Sequence, residues 1–181
     1  MRISKQWLVV GTIVAGLGVG AVALVTLGPQ VQRVEVGARA PNFKAVNLAT
    51  NDSVSLRDEY RGSVTLVNIW ATWCGPCVEE MPAIERLYQS LGPRGFRVAA
   101  VSIDEGDPAG VRTFAQNLGI TFDLLQDRTG LIQRTYQTTG VPESFLLDRD
   151  GVIVKRIIGA HDWGSPVNRK LVERLVAAGG G

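Results

Sequence analysis

Trp73-Cys74-Gly75-Pro76-Cys77 follows the apolar run Val64-Thr65-Leu66-Val67-Asn68-Ile69-Trp70 and opens a stretch of helical periodicity. A cysteine at a helix N-terminus meets unpaired backbone N–H groups and the positive end of the helix dipole, both of which favour its anion. Cys74 is therefore expected to be the attacking thiol of lowered pKa. Two intervening residues bring the second sulfur round one helical turn, so Cys77 is expected to resolve a mixed disulfide by closing a small ring.

The residues that follow place these sulfurs on a helix. Cys77, Met81, Ile84, Tyr88 and Leu91 recur at the i, i+4, i+7, i+11, i+14 spacing of one buried stripe, which shields Cys77. Glu80 falls on the same side, about 60° from Cys77 at roughly 100° per residue, whereas Glu79 and Arg86 point the opposite way. Burial of a carboxylate there raises its pKa toward neutrality and suits Glu80 to carry protons to and from the shielded sulfur.

Competing uses of a Cys-x-x-Cys pair fare worse. A zinc site needs a second Cys or His pair, and the chain has two Cys and one His in all. No metal site is expected, and no cofactor beyond a redox-active Cys74–Cys77 disulfide. A purely structural bridge across so short a loop would remove little chain entropy.

With 181 residues, 45% of them hydrophobic, the chain suits one globular domain and an appendage. A formal net charge of +2, with Lys and Arg spread along the chain, gives no footprint for nucleic acid. Residues 1–6 carry Arg2 and Lys5, and Trp7 to Gly28 then runs without a charge. That is long enough for a transmembrane helix, and the flanking charges place residues 1–6 in the cytoplasm and the remainder outside it, in the periplasm. A cleaved signal peptide is the rival reading, since Ala21-Val22-Ala23 resembles a small-residue cleavage site. The apolar run continues through Leu24, Val25 and Leu27, which favours a retained signal anchor. In an oxidising compartment a dithiol acting as a reductant needs a partner to keep it reduced.

Residues 29–36 read as a polar linker and 37–178 as the domain, with 179–181 as a glycine tail. An N-terminal hairpin is expected from Phe43, Val46, Leu48, Val54 and Leu56 around Ala49-Thr50-Asn51-Asp52-Ser53. Val64–Trp70 and residues 95–103 read as central strands covered on both faces. A helix is expected from Asp107-Pro108 to about Leu118, a strand at 121–125, a helix at 127–136, a hairpin of 140–148 with 152–158 about an Asp-Gly turn, and a closing helix at 170–178. Strands alternating with helices of this length give an α/β class.

With the Cys-Gly-Pro-Cys pair on a strand-to-helix junction and Val141-Pro142 opening a later strand, the chain resembles the thioredoxin superfamily. Ala40-Pro41-Asn42-Phe43, Val67-Asn68-Ile69-Trp70-Ala71-Thr72-Trp73-Cys74 and Val78-Glu79-Glu80-Met81-Pro82 resemble the membrane-anchored TlpA/ResA/CcmG (DsbE) group. The resemblance covers nearly all of 37–178. It implies a thioredoxin-like fold with an N-terminal β-hairpin extension and a central helix-strand insertion, preceded by one transmembrane helix. It also implies a cis Pro142 that turns Val141 toward an extended substrate chain, with Trp73, Gly75, Pro76 and Glu143 as further substrate-positioning residues. Glu143 matches the Pro-Glu-Thr-Phe of cytochrome c maturation members, although an exposed acidic strand residue is its ordinary explanation. Cytoplasmic thioredoxins have a buried Asp where Asn68 stands; Asn cannot titrate, and the anchored group places a Glu at the position of Glu80.

Gly75-Pro76 is the dipeptide of reducing members, so the resemblance implies a thiol-disulfide reductase. Its client would be the haem-attachment motif of apocytochrome c or a carrier upstream of it, and its electrons would come from a transmembrane thiol donor. Copper-site assembly proteins are the alternative clients. In another class stands a copper chaperone using the two thiols and His161, a residue read here as a solvated bystander in a loop. A peroxidase of the related redoxin type is disfavoured, because Pro-x-x-x-Thr-x-x-Cys is absent before Cys74.

Overall fold

The computed structural model describes residues 5–27 and 33–178. The chain divides into two compact units, residues 1–32 and 33–181. The first contains α1, Lys5–Leu27, with Trp7, Val14, Leu17 and Val19 exposed. Among the described residues no helix is long and apolar enough to cross a membrane. The transmembrane helix expected over 7–28 is therefore not supported. The ends of the expected cytoplasmic, linker and tail segments, at 1–4, 28–32 and 179–181, lie outside the described residues.

The second unit is one mixed sheet with elements on both faces. In chain order it has β1 (Lys44–Asn47), β2 (Ser53–Ser55), α2 (Leu56–Glu59), β3 (Val64–Trp70), α3 (Gly75–Leu91), β4 (Phe96–Ser102), α4 (Pro108–Asn117), β5 (Asp123–Gln126), α5 (Leu131–Thr135), β6 (Glu143–Leu147), β7 (Ile153–Ile158) and α6 (Pro166–Ala177). The strand order is β2-β1-β5-β4-β3-β6-β7. β3, β4 and β5 run parallel, while β6 and β7 extend the sheet antiparallel on one side and β1 and β2 on the other.

The central strands explain the two-sided core. Every residue of β3 is buried, and alternation sends its side chains to opposite faces. Leu66 and Trp70 pack with Met81, Ile84 and Leu91 of α3 and Val172 and Val176 of α6. Val67 and Ile69 pack instead with Phe43, Leu56, Ile132, Tyr136 and Phe145. Asn68, between Leu66 and Ile69, points to the α3 face by the same alternation and is the polar exception there.

The N-terminal hairpin forms as expected, and it joins the sheet at β5. The helix expected at 127–136 shortens to α5, because the Asp127 carboxylate caps the turn before it, accepting from the N–H groups of Thr129 (2.9 Å) and Ile132 (2.8 Å). The closing helix starts earlier than expected, at Pro166. Ser165 is its N-cap, with Oγ accepting from Asn168 N–H, and Pro at the first helical position loses no hydrogen bond.

Candidate active site

β3 ends at Trp70, and the loop Ala71-Thr72-Trp73 delivers Cys74 to the tip of α3. That loop is held by Asp104 just beyond β4. One Asp104 carboxylate oxygen accepts from Thr72 N–H (3.0 Å), the other from Thr72 Oγ1 (2.6 Å), and Ser102 Oγ completes the set at 2.6 Å. Cys74 is the N-cap of α3, and its Sγ accepts from Cys77 N–H at 3.2 Å. The two cysteines form a disulfide with S–S 2.04 Å and Cα–Cα 5.3 Å. Cys77 is fully buried in the predicted stripe and Cys74 is only 5% exposed, whereas Trp73 beside it is 68% exposed. Gly75 and Pro76 are exposed too.

Glu80 lies on the buried side of α3, 5% exposed. Asn68 Nδ2 donates to its Oε1 at 2.8 Å, and the backbone N–H of His161 donates to its Oε2 at 3.0 Å. Asn68 is itself oriented by Ser144 Oγ at 2.9 Å, its register partner on β6. Burial pushes the Glu80 carboxyl up to about 7, with the two hydrogen bonds acting in the opposite sense. A carboxyl poised there exists in both forms at neutral pH, which is what a group trading a proton with a thiol requires.

Val141-Pro142 is a cis peptide bond. Antiparallel pairing of Glu143 with Ile69 puts this segment at the sheet end from which the 71–73 loop emerges. Pro142 is buried, its carbonyl accepting from Gly159 N–H at 2.8 Å, and Val141 is half-buried.

Glu143 departs from expectation. It is fully buried rather than exposed, and it faces the side of the sheet away from Glu80. Arg156 Nε donates to its Oε1 at 2.7 Å, and Thr139 N–H donates to its Oε2. The same guanidinium donates to the carbonyls of Val34 and Gln137 and lies over the Phe145 ring. A buried carboxylate needs such a partner, and these two residues pair across neighbouring strands.

His161 is not a bystander either. Its N–H serves Glu80, and its Nε2 lies 2.8 Å from Asn168 Nδ2 and 3.3 Å from Lys155 Nζ. Among the described residues no group of three or more His, Cys, Asp or Glu side chains could hold a metal. Sequence reasoning grouped Cys74, Cys77 and Glu80 because they lie along one helix and at its N-cap. It missed Asp104, Lys155, Arg156 and Asn168, whose partners are distant in the chain; the one readable hint was Ser165-Pro166, which starts the helix carrying Asn168.

The redoxin family model matches residues 35–173 of this chain. The chain belongs to the redoxin family. Thiol-disulfide oxidoreductase ResA of Bacillus anthracis is 36% identical to this redoxin over 128 residues, 71% of this chain and 72% of that protein. Thioredoxin-like protein YneN of Bacillus subtilis is 37% identical over 122 residues, 66% and 69% of the two chains. The crystal structure of a DsbE-type thiol:disulfide interchange protein from Chlorobium tepidum superposes with a TM-score of 0.68 at 28% identity, covering 82% of this chain and all of that one. This redoxin is a thiol-disulfide oxidoreductase of ResA/DsbE type with a thioredoxin-like fold.

Proposed function

We propose that this redoxin is an extracytoplasmic protein-disulfide reductase, and the observation that carries the reading is the buried Glu80 on the helix face of Cys77. In the reduced form the Cys74 thiolate attacks a client disulfide. One client sulfur joins Cys74 and the other leaves as a thiolate that takes up a proton. Glu80, as carboxylate, removes the proton of Cys77, whose sulfur then attacks Cys74 Sγ. The second client sulfur is released, the enzyme disulfide forms, and two electrons have passed to the client. On re-reduction by a donor dithiol, Glu80 returns the proton to the Cys77 thiolate. Trp73, Gly75, Pro76, Val141 and Pro142 would border an extended client, with Val141 offering it main chain; Glu143 supports that border through Arg156.

Location outside the cytoplasm rests on the sequence: Arg2 and Lys5 precede the uncharged stretch 7–28. Apocytochrome c or its carriers as clients, and a transmembrane thiol donor, rest on the family resemblance alone. The copper-chaperone reading is set aside because the histidine it would use, His161, already has its Nε2 beside Asn168 and Lys155 and its backbone N–H on Glu80. The test is to express Cys77→Ala in the native cell and identify what is trapped on Cys74. Apocytochrome c or its carriers are the expected adducts. Copper-assembly proteins would replace that client, and the absence of any protein adduct would overturn the reductase reading.

A further inference from the structure

Glu80 is gripped from two sides. One grip, Asn68, comes from the strand beneath it. The other is the main chain at His161, in the loop between β7 and α6, and what fixes that loop is a set of side chains with no other evident task. Lys155 Nζ and the Asn168 amide nitrogen can only donate, so both face His161 Nε2 as donors to its one lone pair. Asn168, 2% exposed, straps the loop: its Nδ2 also lies 2.6 Å from the Asp162 carbonyl and 2.9 Å from Ser165 Oγ, and its Oδ1 accepts from Lys155 Nζ at 2.6 Å. The His161 ring stands edge-on to the buried Trp163 at 5.3 Å, and the Lys155 ammonium lies 5.7 Å from that indole. Lys155 is half-buried, and its partners among the described residues include no carboxylate. Holding a cation on neutral groups alone costs desolvation, and the return is a rigid loop.

We propose that Lys155, His161 and Asn168 are positioning residues for thiol–disulfide exchange, holding the His161 N–H against Glu80 Oε2 and so setting how readily that carboxyl releases its proton. The proposal rests on the proton-carrying role given to Glu80 above. The charged neighbours are few: Lys155 stands behind His161 on β7, Asp162 is exposed beside it, and Glu79 on α3 faces solvent. Asn68 on β3 and Ser144 on β6 are neutral. An N–H aimed at a carboxylate stabilises its ionised form. Loosening the clamp therefore makes Glu80 hold its proton to higher pH.

The test is an NMR titration of the Glu80 carboxyl in full-length oxidised protein labelled with ¹³C-glutamate, for the wild type, Asn168→Ala and Lys155→Met. Both variants are expected to raise the midpoint by about half a pH unit or more, a threefold change in proton affinity. The pH profile of insulin reduction should move the same way, and Asn168→Ala should leave the profile of a Glu80→Gln protein unmoved. If Asn168→Ala does not fold, Lys155→Met decides. A midpoint equal to wild type in folded variants overturns the clamp. A moved midpoint with an unmoved activity profile overturns the reading of Glu80 as proton carrier, and with it the clamp's place in the exchange.

Discussion

Glu80 is the residue whose setting has the clearest thermodynamic signature. Its carboxyl is raised from an ordinary value of 4.5 to about 7, chiefly by burial. Below about 4.5 it is protonated in both folded and unfolded chains and costs nothing. As pH rises from there toward 7, the unfolded carboxyl ionises while the folded one keeps its proton, so stability falls; above about 7 the loss is complete and constant. The stability of Glu80→Gln relative to wild type should therefore rise across this window, by at most about 3 kcal/mol, in urea denaturation of the oxidised protein at a series of pH values. A difference that stays flat with pH would show that the folded carboxyl titrates normally. Glu80 was legible because helical spacing alone put it on the face of Cys77. Glu85, buried on the same helix and accepting from Thr121 N–H and Oγ1, was not, because nothing in the spacing of α3 announces a partner at the entrance to β5.

At the scale of elements, the antiparallel pair β6 and β7 behaves differently on its two faces. On one, Ser144 orients Asn68 and Lys155 reaches the α6 loop. On the other, Glu143 and Arg156 pair in a buried setting and tie down Val34 and residues 137–139 just before Val141. Removing one member of a buried pair leaves a charge without its counterpart. Arg156→Ala is expected to destabilise the domain by about 3–5 kcal/mol. Arg156→Ala with Glu143→Leu should recover part of that loss, leaving the Val34 and Gln137 carbonyls without their donor; chemical denaturation of the two variants makes the comparison. The strands, the active-site helix and the hairpin turn were readable from apolar runs, Gly and Pro. The pairing of Glu143 was not, because an isolated acidic residue before an apolar run looks the same whether it meets water or an arginine on the next strand. Likewise 127–136 carries the periodicity of a longer helix, and only the Asp127 cap shows why it begins at Leu131.

At the scale of the whole molecule, sequence reading recovered the α/β class, the parallel centre and the hairpin extension. The edge position of that hairpin on β5 had to come from tertiary pairing. For the N-terminal unit, exported location is the proposal to test: the domain is expected to be open to protease added outside the cytoplasm, with the N-terminal segment still attached. Recovery in the soluble periplasmic fraction, shortened near Ala23, would instead mark a cleaved leader, and recovery in the cytoplasm would overturn export.

The sulfur that meets clients is almost wholly sheathed, with one broad indole standing proud beside it. Contact with Cys74 thus depends on shape as well as potential: a bridge carried on a slender, uncoiled thread can be laid along the rim, while one packed inside a finished globule is passed over. Such steric selection would favour bridges in chains that have not yet collapsed over those in finished folds.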